Sequence, residues 1–240
     1  MKVYFNNISR ISDAIITMYM SKRTWTPELN QEIIDRCDRV FDKQGKYDLS
    51  ANQEDVDIVN SWVNKLFKWG SKHITMLRFI DMSFTVEGLH RGGQDDFDAH
   101  AKRLDNRIVR SSTRLATFGT EKSDFYKDKI LTTDEVLKKL YMDLPDNLTF
   151  NNINYVKTEN GYVDERFAND KDVLRGLYML SIPSNFIFKC NFAEWSHIVK
   201  ERDCNSHAAP ELREMVELIC KQLSDIFPQL TKEYWYTIIN

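Results

Sequence analysis

The sequence predicts an α+β fold, on three observations. Several segments place apolar residues at the three-to-four spacing of an amphipathic helix. Two others alternate apolar and polar residues with period two, the pattern of a half-buried strand. No internal repeat and no low-complexity linker interrupts the 240 residues, so a single domain spanning 1–240 is the expected organisation.

The first elements are helical. Ile11, Ile15 and Met18 share one stripe, and Ile33, Ile34, Cys37, Val40 and Phe41 form a second. Val59, Trp62, Val63, Leu66 and Phe67 form a third. The period then changes: Met82, Phe84 and Val86 alternate with Ser83, Thr85 and Glu87, as they do in a strand with one face buried. Gly88, Gly92 and Gly93 interrupt the chain beyond it, and a polar, charge-rich stretch runs on to Arg114. Thr132 and Glu135 have capping-box spacing ahead of Val136, Leu137, Leu140 and Tyr141, which predicts a short helix. Pro145 ends it, and the Asn-rich residues 144–155 read as loop or hairpin.

Beyond Asp172 the pattern sharpens. Val173, Leu174, Leu177 and Tyr178 predict a helical stretch broken at Pro183 and Ser184, and Phe186 and Phe188 a short strand running into Asn191. The next helix carries Asn191, Trp195, Ile198 and Arg202 on one stripe. Asn205 and Ser206 stand where a cap is expected, and Pro210 suits a first turn. The last long helix has Leu212, Met215, Val216, Ile219, Leu223 and Ile226 on its apolar face and closes at Pro228.

Composition excludes some functions. The net charge is −3, so a general nucleic-acid partner is not expected. No apolar run approaches the roughly 20 residues of a membrane span, so no membrane partner is expected either. The opening MKVYFNNISR lacks the apolar core of a signal peptide, and a cytoplasmic protein with reduced thiols is the expectation. Cys37, Cys190, Cys204 and Cys220 show no metal-ligand spacing, so no metal is expected.

Two groups of residues suggest chemistry. Arg202 shares a stripe with Trp195 and Ile198 and so is expected to be partly buried, where a charge needs an anionic or strongly polar counterpart. Either it forms a structural ion pair, or its fork is aimed at a planar acceptor such as a carboxylate, a phosphate or a pyrimidine edge. Residues 99–114 interleave Lys102, Arg103, Arg107, Arg110 and Arg114 with Ser111, Ser112 and Thr113, with Asp105 as the only acid in that run. That is a phosphate-binding composition or a solvated helix face. No G-x-G-x-x-G, P-loop or G-x-S-x-G pattern is present.

The intervals around Arg202 carry a resemblance. Arg175, Asn191, His197 and Arg202 stand sixteen, six and five residues apart, and Ser206, His207, Ala208 and Glu211 come after them. This block is similar to the C-terminal block of flavin-dependent thymidylate synthases (ThyX), with Arg, Asn, Asn or His, and Arg at those intervals before S-H-A-Q-W-E-I. Upstream, His73 and Thr75 match the start of the family's H-x-[ST]-x-x-E-H, while Arg78 and Phe79 replace its Glu and second His; Ser83-Phe84-Thr85 matches its F-T-F strand. Ser112-Thr113-Arg114 matches S-x-R of the family signature, and Ala99-His100-Ala101 stands where the family has R-H-R.

The resemblance implies a central, mostly antiparallel sheet flanked by helices and a homotetramer with active sites at subunit interfaces. It implies FAD as cofactor, NADPH and methylenetetrahydrofolate as co-substrates, and dUMP or a related pyrimidine nucleotide as substrate. Ser112, Arg114 and Arg175 would hold the nucleotide phosphate. Arg202 would grip the pyrimidine ring and stabilise charge developing on it. Thr75, His100, Asn191 and His197 would contact the flavin cofactor, and His73 would lie near the folate and flavin rings in a catalytic role. Cys190 as nucleophile is an alternative to the guanidinium. Three activities are compatible with the resemblance: reductive one-carbon transfer to C5 of dUMP giving dTMP, C5 hydroxymethylation of a pyrimidine nucleotide, or nucleotide binding without flavin.

Overall fold

The computed structural model describes residues 1–100, 107–111, 122–126, 129, 131–140, 143–158, 161–174, 177, 182–202, 208–231 and 234, the side chains of 99, 100, 107, 134, 171 and 172 excepted. Strand β1 (Lys2–Ile8) leads into three helices, α1 (Ile11–Ser21), α2 (Pro27–Val40) and α3 (Gln53–Gly70). A 3-10 turn (Ile74–Phe79) delivers the chain to β2 (Asp81–His90), which passes directly into α4 (Arg91–His100). Then come β3 (Arg107–Arg110), α5 (Thr133–Lys139), and the strands β4 (Asn147–Phe150), β5 (Ile153–Thr158) and β6 (Gly161–Asp164). The 3-10 turn Glu165–Phe167 and α6 (Lys171–Leu174) precede β7 (Pro183–Asn191), α7 (Phe192–Arg202) and α8 (Pro210–Ile226).

The main sheet has the order β1-β2-β7-β3, and every pairing is antiparallel. Its two central strands set the register: Met82 faces Cys190, Phe84 faces Phe188 and Val86 faces Phe186, so one row of large side chains points at the helices. Phe84 and Phe188 stack with centroids 5.7 Å apart, and Phe188 stacks in turn on Trp195 of α7 at 6.0 Å. Ile15, Met18, Leu66, Phe67, Leu212, Met215 and Ile219 close over that row, all essentially inaccessible. Each such side chain contributes about 1.5–3 kcal/mol on leaving water. The α+β class and the antiparallel sheet flanked by helices are therefore as expected.

Local signals fix most helix ends. Thr26 accepts from the Leu29 N–H ahead of α2, Asn52 from Glu54 N–H ahead of α3, and Thr132 with Glu135 forms the capping box of α5. Asn151 and Asn152, both at positive φ, turn the β4–β5 hairpin, which settles residues 144–155 as hairpin. The last long helix begins differently from the expectation: Ala209 stands at its N-cap without a side-chain hydrogen bond and Pro210 opens it, so capping by Asn205 or Ser206 is not its start.

Three elements depart from their sequence signals. Strand β1 shows no clean alternation because its register shifts between Phe5 and Asn7 and only Ile8 is buried. Gly88 does not end β2; it sits at φ 84 within a register shift between Val86 and Leu89, and pairing resumes beyond it. Gly93 lies inside α4, where a Cβ would stand 2.6 Å from the His90 ring. Helix α4 tolerates glycine there because that ring occupies the space a side chain would need.

Candidate active site

The nucleotide, cofactor and catalytic residues expected from sequence divide into three groups. Ser112, Arg114 and Arg175 lie outside the described residues, as does the side chain of His100, whose backbone closes α4. His73 and Thr75 stand at the start of the 3-10 turn, and Asn191 stands at the end of β7, which pairs with the residue just beyond that turn. His197 and Arg202 lie further along α7.

The link between the turn and α7 comes from topology. Phe192 N–H donates to Ile80 O at 2.9 Å, tying the start of α7 to the residue that follows the 3-10 turn. His73 caps that turn and packs against Trp69 with ring centroids 4.6 Å apart; His73 and Thr75 are exposed. Trp69 Nε1 is buried with no hydrogen-bond partner among the described residues. Asn191 is buried, and its Oδ1 accepts from Glu194 N–H at 2.8 Å, so it serves as the cap of α7. That leaves its amide nitrogen as the group a ligand could use.

Arg202 stands at the other end of the same helix, eleven residues or about 16 Å from Asn191 along the axis. Its counterpart is Asp96 of α4, with Nη2 at 2.9 Å from Oδ1. Nη2 also donates to Asp96 O at 3.3 Å and Nη1 to Glu201 O at 3.0 Å. The guanidinium side chain is 8% exposed, Asp96 36%, so the pair spans the boundary between interior and solvent. Arg202 Nε is buried without an acceptor among the described residues.

This orphan has company. Arg91 Nη1 and Gln94 Oε1, both on α4, and Ser184 Oγ, whose residue pairs with Leu89 beside α4, are likewise buried without hydrogen-bond partners among the described residues. Buried polar groups are nearly always satisfied, so these are groups a polar ligand, water or another part of the chain would complete. Beneath them Glu211, fully buried, accepts from His90 N–H at 3.1 Å and from Ser123 Oγ at 2.9 Å, and it also pairs with His90 Nδ1. This carboxylate ties α8, the β2–α4 junction and the 122–126 segment together.

The structure changes two sequence readings. The basic stretch 99–114 has few acids of its own, but Arg110 pairs with Asp95 and Asp98 of α4, the latter at 2.8 Å, and donates to Gln94 O at 3.0 Å. Arg110 therefore fastens β3 to α4, and residues 107–110 form a strand, against the reading of that stretch as a helix face. Cys190 is fully buried in the sheet, where desolvation pushes its thiol well above the ordinary range. A thiol held protonated there is no nucleophile.

Asp96 and Glu211 are the site residues that intervals along the chain do not reveal. Asp96 lies 106 residues from Arg202 and Glu211 lies 121 from His90, so only the fold brings them together. For Asp96 the available signal was physical: a buried arginine demands a carboxylate, and α4 carries three.

The antiparallel sheet feeds α7, which has Asn191 at its start and Arg202 at its end, and α4 supplies the acid for the arginine; the fold is α+β. The chain belongs to the family described as thymidylate synthase complementing protein, whose model matches residues 10–229. The fold is similar to that of thymidylate synthase X (ThyX) from Helicobacter pylori, solved with FAD and dUMP. That match has 13% identity and a TM-score of 0.52, with all of both chains covered. It is also similar to the UMP/dUMP methylase PolB from Streptomyces cacaoi, solved with 5-Br dUMP. There the identity is 12% and the TM-score 0.55, covering 98% of this chain and 94% of the other. No curated protein matches the chain. Among the described residues, no helix is long and apolar enough to cross a membrane.

Proposed function

We propose that the chain transfers a one-carbon unit from methylenetetrahydrofolate to C5 of a pyrimidine nucleoside monophosphate, with FAD as cofactor and NADPH as reductant. In the form its family implies, this reaction turns dUMP into dTMP. The observation that carries the reading is Arg202: a buried guanidinium at the end of α7 whose Nε has no acceptor among the described residues, in the thymidylate synthase complementing protein family. The H. pylori and S. cacaoi structures that share the fold hold dUMP and 5-Br dUMP, which supports a pyrimidine nucleotide here too.

Exposed His73, packed on Trp69, exposed Thr75 and the Asn191 amide nitrogen are the described groups that would hold a flavin ring. Bound there, FAD would supply the hydride chemistry. Arg114 and Arg175, with Lys102 and Arg103, are the cations available to phosphates, and all four are outside the described residues. Asn191 would both cap α7 and donate to the cofactor; His197 would meet it about one and a half turns further along. A guanidinium fork at the pyrimidine carbonyl edge polarises the ring, which raises electron density at C5 without a covalent cysteine. The chain acts as one domain, and assembly into a homotetramer would complete the site from a neighbouring subunit.

Purified protein tests the cofactor directly. It should be yellow as isolated, or become so on incubation with FAD and gel filtration, with the absorbance bands of bound oxidised flavin. Protein that stays colourless after reconstitution rules out flavin chemistry and leaves a nucleotide-binding relative.

A further inference from the structure

We propose that the exposed cations gathered about His73 hold the anionic tail of a folate, so that the co-substrate is a poly-γ-glutamyl folate and not the monoglutamate. The inference deepens the one-carbon-transfer reading above and rests on it, with His73 beside the folate ring.

Two stretches of chain without an acid come together here. Residues 14–27 and 58–80 contain no Asp or Glu. They supply most of α1 and α3 and the 3-10 turn Ile74–Phe79, which pack on one another. Six exposed cations stand on them: Lys22 and Arg23 at the end of α1, Lys65 and Lys68 on α3, Lys72 just after it, and Arg78 in the turn. None of the six has an ion-pair partner among the described residues. Lys22 Nζ lies 4.7 Å over the Trp69 ring, and the His73 ring packs on the same indole at 4.6 Å. The ends of α1 and α3 therefore meet at His73.

The helix dipoles favour a cation at each of these C-termini. They do not account for Lys65, which stands more than a turn before the end of α3. Lys65 and Lys68 are three apart, where like charges repel and an acid would stabilise. Arg23 is held at φ 57°, a left-handed conformation that Gly or Asn adopts at less cost. A bound polyanion offsets both the repulsion and the crowding of charge.

A γ-glutamyl chain suits this surface in spacing and in place. Each unit adds one carboxylate, and its five backbone bonds extend about 6 Å. Side chains three apart on a helix stand roughly 5–6 Å from one another. The tail leaves a folate at the end opposite its pteridine ring, so a ring near His73 sends the carboxylates out among these cations. A nucleic acid or an anionic membrane presents a far broader charged surface, which the rest of a chain of net charge −3 would repel.

The test is calorimetric titration of the full-length protein, with FAD present, against tetrahydrofolate and its pentaglutamate. The pentaglutamate should bind roughly tenfold more tightly at low salt, since each exposed ion pair contributes little and four carboxylates are added. The advantage should shrink as salt is raised. It should also vanish in the triple variant Lys65→Gln, Lys68→Gln, Lys72→Gln, whose fold circular dichroism would check. Equal affinity for the two folates in the wild type overturns the proposal, and so does an undiminished advantage in the folded variant. An oligonucleotide or phosphatidylserine vesicles bound more tightly than the pentaglutamate, and lost in the same variant, would give the patch to that partner and overturn it too. Binding of neither folate is a distinct result: it removes folate from the proposed reaction, and the tail site with it.

Discussion

Arg202→Ala is expected to lower kcat/KM by roughly a hundredfold or more, the usual order for removing one preorganised donor from a developing anion. The variant should still fold. The guanidinium is buried, so truncation leaves a cavity on the face of α7 that carries Ile198, but Asp96 is accessible enough to be hydrated in its place. Circular dichroism and thermal melting should therefore show a native helix content with a modestly lowered Tm, while turnover disappears. Arg202→Lys separates charge from shape. A lysine keeps the cation but not the fork, so recovery of activity by lysine would show that planar, two-point recognition is not what the residue provides. Near-normal turnover in the alanine variant would remove Arg202 from the chemistry and leave it as the partner of Asp96.

The second large effect is on stability. Glu211→Ala removes the one carboxylate that satisfies His90 N–H, His90 Nδ1 and the Ser123 hydroxyl, in a place with no access to water. Breaking a buried, hydrogen-bonded group of this kind costs about 3–5 kcal/mol. For a chain of this size that is a fall in Tm of roughly 10 °C, readable by scanning calorimetry. Glu211→Gln should cost much less, because its carbonyl oxygen still accepts from one side. A melting point unchanged in the alanine variant would mean that the carboxylate is not the tie between α8, β2 and the 122–126 segment that the geometry describes.

These two residues also show how far the sequence could be read. Arg202 was legible because helical periodicity put it on a stripe with Trp195 and Ile198, where burial and the need for a partner follow at once. Glu211 fell in the family-like block, but nothing local distinguished a buried carboxylate from an ordinary acid in a first helical turn. Its partners come from 88 and 121 residues away. The central strands were legible because large residues alternate cleanly in both, whereas β1 was not, since an irregular edge strand with one buried residue has no period to detect. Helix α4 was hidden by Gly92 and Gly93, the latter answering to the His90 ring instead of to helix propensity. The basic stretch misled for a related reason: the acids that neutralise Arg110 are neighbours across β3 and α4 and lie outside its own segment.

Helical periodicity put Asn191 and Arg202 on one helix, and the resemblance added the intervals that include His197. The structure spaces Asn191 and Arg202 about 16 Å apart along α7. The resemblance did not supply Asp96, the ion-pair partner of Arg202.

Release of tritium from nucleotide labelled at C5 reads the proposed chemistry at the reacting atom, since any substitution at that carbon must expel its hydrogen. The assay would use flavin-loaded protein, methylenetetrahydrofolate and NADPH, with C5-tritiated dUMP and dCMP in parallel. Release is expected to require flavin and folate together and to be lost in Arg202→Ala. Flavin-loaded, folded protein that binds either nucleotide yet releases no tritium from both would contradict one-carbon transfer to C5.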